Sequence, residues 1–110
     1  MTFDEYQKQA KKTMVIEINP LMDKTLWVLG INGEAGEIAE KWKKIIAYDN
    51  AEISTTRKAE MAKEMGDVLW YLSAFATSLD LSLQDIAENN IQKVHSRKDR
   101  GAIPGKGDNR

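Results

Sequence analysis

The sequence predicts an all-α protein, a four-helix chain whose two long central helices run antiparallel. Three observations lead there. Apolar residues recur at spacings of three and four along most of the chain, helix-start signals occur at four separate points, and no stretch alternates with the period of two that a strand requires. Thr2 followed by Glu5 forms a capping box, and Phe3, Tyr6 and Ala10 carry a first helix to about residue 14. Asn19-Pro20 opens the second, with Asn as cap and Pro at the first helical position. Leu21, Leu26, Leu29, Ala35, Ile38, Trp42, Ile45 and Ile46 then keep one apolar stripe to about residue 47. Gly30, Gly33 and Gly36 fall within it at intervals of three, which suggests either close approach of another helix or a local irregularity.

Residues 48–56 read as a polar connection ending in a capping hydroxyl, before a third helix over about 57–79. Its apolar face is Ala62, Met65, Val68, Leu69, Leu72, Phe75 and Leu79. Ser82 with Asp85 is a second capping box, opening a helix through Ile86, Ile91 and Val94 to about residue 98. One domain over residues 1–100 results, followed by a flexible, basic, glycine-rich tail at 101–110.

Composition excludes several classes. No apolar run approaches the roughly 20 residues that span a bilayer, and the first residues lack the basic and apolar regions of a signal peptide, so a cytoplasmic protein with no membrane partner is expected. Without cysteine there is no disulfide or thiolate site, and a single histidine, His95, cannot build a zinc or di-iron centre. A net charge of −1 gives no reason to expect a nucleic-acid polymer as partner. That total conceals an uneven distribution. Residues 93–110 carry Lys93, Arg97, Lys98, Arg100, Lys106 and Arg110 against Asp99 and Asp108, a net +4, leaving −5 on residues 1–92. An acidic body with a basic end suits a polyanionic, metal-bound ligand, although a solvated tail has the same composition.

Acidic pairs three residues apart are cheap in a charged helical chain, and five occur here, at 34/37, 37/40, 49/52, 64/67 and 85/88. Two share a context. Glu34-Ala-Gly-Glu37 and Glu64-Met-Gly-Asp67 repeat one acid-x-Gly-acid pattern thirty residues apart on the two long helices. Residues three apart on a helix are displaced about 4.5 Å along the axis and about 60° around it, so each pair shares a face. On packed antiparallel helices the four carboxylates would converge, and a glycine before the second acid would let the helices approach. Converging carboxylates repel unless a cation neutralises them. All-oxygen ligation favours Mg²⁺, with Mn²⁺ as a substitute, over zinc or copper. The competing arrangement puts these acids on solvated helix edges, paired with Lys41, Lys44 or Lys63.

At these residues the chain resembles the all-α nucleotide pyrophosphohydrolase superfamily, and within it the small single-domain MazG-like proteins. ExxE followed by ExxD is the motif, present here as Glu34-Ala-Gly-Glu37, 26 intervening residues, and Glu64-Met-Gly-Asp67. The flanks Gly-Glu-Ile-Ala-Glu-Lys and Gly-Asp-Val-Leu-Trp-Tyr-Leu match as well, and Asn90-Ile-Gln-Lys93-Val-His-Ser-Arg97 fits the last-helix pattern. The likeness spans roughly residues 20–100. It implies a homodimer or homotetramer of helical bundles and Mg²⁺-dependent hydrolysis of a nucleoside triphosphate, ribo or deoxy, to the monophosphate and pyrophosphate, as nucleotide-pool house-cleaning. It assigns Glu34, Glu37, Glu64 and Asp67 to the metal, Lys93 and Arg97 (with Asn90 in the same motif) to phosphate binding, and Tyr71 to the nucleotide pocket. Of the acids, Glu34 or Glu37 could serve as catalytic base to a water.

Other candidates rest on less. Asn32, two residues before the first acid, could contact a base or sugar, and Phe3 and Tyr6 could close the base pocket or only pin the first helix. Trp27, Trp42 and Trp70 read as core or interface anchors. The tail could fold over phosphates, but Gly105-Lys106 is no Walker loop, lacking the glycine spacing and the following Ser or Thr. Two alternatives to general triphosphate hydrolysis stay open: a dUTP or phosphoribosyl-ATP pyrophosphatase of the same superfamily, and a non-catalytic helical interaction protein.

Overall fold

Each helix starts where a side chain can satisfy its first free amides. The computed structural model describes residues 1–101 as α1 (Phe3–Lys11), α2 (Pro20–Tyr48), α3 (Thr55–Ser78) and α4 (Leu83–Asp99), with no strand among them. The expected tail lies, beyond Gly101, outside the described residues. Thr2 Oγ1 accepts from the Glu5 amide at 3.1 Å, Asn19 Oδ1 from Met22 at 2.9 Å, and Ser82 Oγ from Asp85 at 3.1 Å, so three of the four starts are those expected. The fourth is two residues early. Ser54, not a threonine, caps α3, accepting from Arg57 at 3.1 Å.

Helix ends depend more on context. α1 stops at Lys11 instead of continuing to 14, because Thr13 turns its hydroxyl back onto the Ala10 carbonyl at 2.7 Å and receives the Trp70 indole N–H at 2.7 Å. α3 closes with a Schellman motif: Leu81 N–H bonds Ala76 O at 2.9 Å, Asp80 N–H bonds Thr77 O at 3.1 Å, and Asp80 takes the left-handed φ of 57°. That sharp reversal leaves only four residues between the end of α3 and the start of α4.

α2 and α3 form the principal pair, and their contacts fix an antiparallel register. Arg57 at the start of α3 meets Asp49 after the end of α2, Lys41 meets Glu64, and Trp27 near the start of α2 meets Trp70. Arg57 binds Asp49 at 2.6 Å and Glu60 at 3.0 Å, and the Arg57 hydrogen bond holds the Asp49 carboxyl below its usual range. α1 packs against α3, while α4 packs on α1 and touches α3; no Cα of α1 or α4 comes within 8 Å of one in α2. No helix among the described residues is long and apolar enough to cross a membrane.

The core is smaller than the apolar stripes suggested. Buried are Ala10, Trp27, Ile45, Ala74, Ala76 and Leu83, together with Ser73 and Arg97. On α3 the expected face is only partly covered: Val68, Leu69 and Phe75 are half-buried, whereas Ala62, Met65, Leu72 and Leu79 are exposed. Leu21, Leu29, Ala35, Trp42 and Ile46 of α2 are exposed too. The reason is geometric, since a helix pair buries only the stripe between its members and leaves each outer stripe to a further layer. A radius of gyration of 16.9 Å, against about 13 Å for a compact chain of this length, reflects the same open arrangement.

Candidate metal centre

Glu34 projects from α2, and Glu64 and Asp67 project from α3. One carboxylate oxygen from each lies within 4.8 Å of the other two. Around a magnesium ion neighbouring oxygens stand about 3 Å apart and opposite ones about 4.2 Å, so the three carboxylates would hold one ion once drawn closer together. Glu34 and Glu64 are half-buried and Asp67 is exposed, which leaves the group open on one side. Glu37, one turn beyond Glu34, is exposed and stands outside this group of three.

The electrostatics fit a cation. Partial burial, followed by the charges of Asp67, Glu64 and Glu37, pushes the Glu34 carboxyl above its ordinary range. Some compensation comes from Lys41, whose Nζ lies 3.5 Å from Glu64 Oε1. This ion pair was one of the partners open to the acids if they lay on helix edges; here it coexists with the convergence. On α1, the Tyr6 phenol is also raised, first by burial and then by the charge of Asp67.

Gly30 alone of the helical glycines shows close approach. α2 remains a regular helix through Gly30, Gly33 and Gly36, and the Tyr71 ring occupies the space a Cβ at Gly30 would need. At Gly33, Gly36 and Gly66 an added Cβ meets nothing within 4 Å, so the glycines preceding Glu37 and Asp67 do not serve to bring α2 against α3. The four-residue pattern converges its acids through side-chain reach across an ordinary helix interface.

Tyr71 belongs to an aromatic trio. Trp70 stands edge-on to Trp27 at 5.5 Å and to Tyr71 at 5.0 Å, and Trp27 lies 6.3 Å from Tyr71. Trp27 is buried and Trp70 half-buried, as anchors should be, while Trp42 is 43% exposed. Asn32 is exposed on α2. On α4, Asn90 and Lys93 are exposed and Arg97 is buried, and the backbone of this helix stays clear of α2. The fold thus brings Glu34, Glu64 and Asp67 together and seats Tyr71 on α2, but it does not bring α4 onto the helix that carries Glu34.

Comparison with known proteins identifies the family. A family model described as the MazG nucleotide pyrophosphohydrolase domain matches residues 23–101, which span both acidic pairs and α4. The chain is 38% identical over 114 residues to the gene 37 protein of Mycobacterium phage L5, with both chains covered in full. No solved structure matches it. The acid pairs, the helices that carry them and the span of the match coincide, and the chain belongs to the MazG nucleotide pyrophosphohydrolase domain family.

Proposed function

We propose that the protein is a Mg²⁺-dependent nucleoside triphosphate pyrophosphohydrolase that cleaves between the α and β phosphates, releasing a nucleoside monophosphate and pyrophosphate. The observation that carries this reading is the convergence of Glu34, Glu64 and Asp67 within 4.8 Å, with the Glu34 carboxyl raised by burial and then by the neighbouring acids. Magnesium keeps part of its coordination for phosphate oxygens and water, and a group of three acids open on one side suits that habit. When bound, it would neutralise charge on the phosphates. Glu34, Glu64 and Asp67 would hold it, with Glu37 swinging in from the exposed edge.

The chain's own groups account for the remaining steps. Hydrolysis adds a water oxygen to the α-phosphorus, breaks the bond to the α–β bridging oxygen, and leaves one proton to be taken up. Glu34 or Glu37, whichever is less committed to the metal, accepts that proton. Lys93 and Arg97 of α4, with Asn90 in the same motif, would stabilise the departing pyrophosphate. That requires α4, which stays clear of α2 here, to be brought to the acids on assembly or closure and Arg97 to be uncovered. Tyr71 and Asn32 would bound the nucleoside side of the pocket. A second copy of the chain would cover the exposed outer stripes of α2 and α3, making a homodimer or homotetramer.

The test is pyrophosphate release with Mg²⁺ across ribo- and deoxynucleoside triphosphates, with dUTP and phosphoribosyl-ATP included to separate the narrower substrates. Glu64→Gln and Glu37→Gln are each expected to lose about 100-fold or more in kcat, with Mn²⁺ partly replacing Mg²⁺ in the wild type. Wild-type protein that turns over none of these substrates, and so equals Glu37→Gln, would refute the activity.

A further inference from the structure

Lys41 follows Glu34 by two turns and Glu37 by one, so all three share a face of α2. Its ammonium reaches across to α3 and lies 3.5 Å from Oε1 of Glu64, one of the three acids that converge. The side chain is 30% exposed and that of Glu64 only 17%, so the lysine pairs with a more sheltered carboxylate. A half-exposed ion pair of this length contributes little to folding. Its position beside the acid cluster gives it another use.

Resting on the reading of these acids as a metal site, we propose that Lys41 is the cluster's resident counter-cation. It holds Glu64 while no metal is bound and must withdraw when a divalent ion arrives. A lysine suits the task, being a compact charge on a flexible stem that solvent can accept without a fixed second partner. The carboxylates stay oriented and partly neutralised in the empty site, and the metal binds more weakly than the acids alone would allow. Metal affinity is thereby set by a competition within the chain. Lys43 provides the comparison: it has the same charge, two residues away, but pairs with Glu40 at 3.0 Å on an exposed flank.

The experiment is Mn²⁺ binding to the full chain without nucleotide, followed by the electron paramagnetic resonance of the free ion, for wild type, K41M, K41R and K43M. K41M is expected to bind Mn²⁺ about 3- to 10-fold more tightly at low ionic strength, and the gain should shrink in high salt. K41R, which keeps the charge, should stay nearer wild-type affinity than K41M does, and K43M should leave the affinity unchanged. Wild type that binds while K41M binds equally or more weakly overturns the proposal, as does a gain in K43M as large as in K41M. If neither wild type nor K41M binds Mn²⁺, the metal reading itself fails and takes this inference with it. Circular dichroism checks that each variant is folded, and K41Q replaces K41M if K41M is not.

Discussion

At Gly30 the backbone of α2 supports the Tyr71 ring directly, and the ring in turn stands edge-on to Trp70. A methyl group there has no space unless Tyr71 moves. Gly30→Ala is expected to lose about 1–3 kcal/mol in urea unfolding and to change the near-ultraviolet dichroism of the aromatic trio, whereas Gly33→Ala should gain slightly from helix propensity. Glu34 calls for a different argument, because its cost is electrostatic. Its folded-state carboxyl is raised by burial and by Asp67, Glu64 and Glu37, so the fold favours the protonated form. The associated stability is present in full below the usual carboxylate range and lost as pH rises through the raised value. In chelator, the melting temperature of Glu34→Gln should therefore exceed that of wild type by more at pH 7.5 than at pH 4. At this scale the acids were legible because their pattern repeats. The distinct place of Gly30 was not, since nothing in the spacing of the three glycines says which one faces a ring.

Helix starts are local events, and the capping residues at Thr2, Asn19 and Ser82 were readable for that reason. How α1 is held is not local. The Gln7 amide donates to Thr77 Oγ1 at 3.0 Å and to the Leu81 carbonyl at 2.9 Å, and its oxygen accepts from the Leu83 amide at 2.7 Å. One side chain thus ties α1 to the end of α3 and the start of α4. Gln7→Ala leaves Leu81 O and Leu83 N–H without that partner and is expected to destabilise by about 1–3 kcal/mol, with hydrogen exchange rising first along α1. A glutamine on a short helix carries no sequence signal for such a role. The early stop of α1 has the same origin, because the Trp70 indole that engages Thr13 is 57 residues away.

The molecule as a whole leaves apolar surface where its sequence placed a core. Ile38, Met65, Gly66, Val68, Leu69 and Leu72 line a groove of about 460 Å³ along the α2–α3 pair, beside the acids. Met65 and Leu72 are 60% and 41% exposed. Exposed apolar patches of this kind mark interaction sites, and a second copy of the chain is the proposed cover. Sedimentation of the wild type should give a dimer or tetramer. Leu72→Asp, which puts a charge on a surface the single chain does not bury, should shift it toward monomer while helix content is kept. A monomeric wild type at micromolar concentration would contradict the proposed assembly.

By itself the sequence determined the four helices, three of their four capped starts, and the repeated acidic pairs on the two long ones. All of these depend on residues within a turn or two of each other, where backbone amides and helical period decide the outcome. Tertiary structure decided the rest. It selected Glu34, Glu64 and Asp67 as the acids that meet and left Glu37 at the edge. It set Lys41 against Glu64, seated Tyr71 on Gly30, and left much of two apolar stripes uncovered. Each of these outcomes turns on the register and rotation of one helix against another, and that is fixed by packing between residues far apart in the chain.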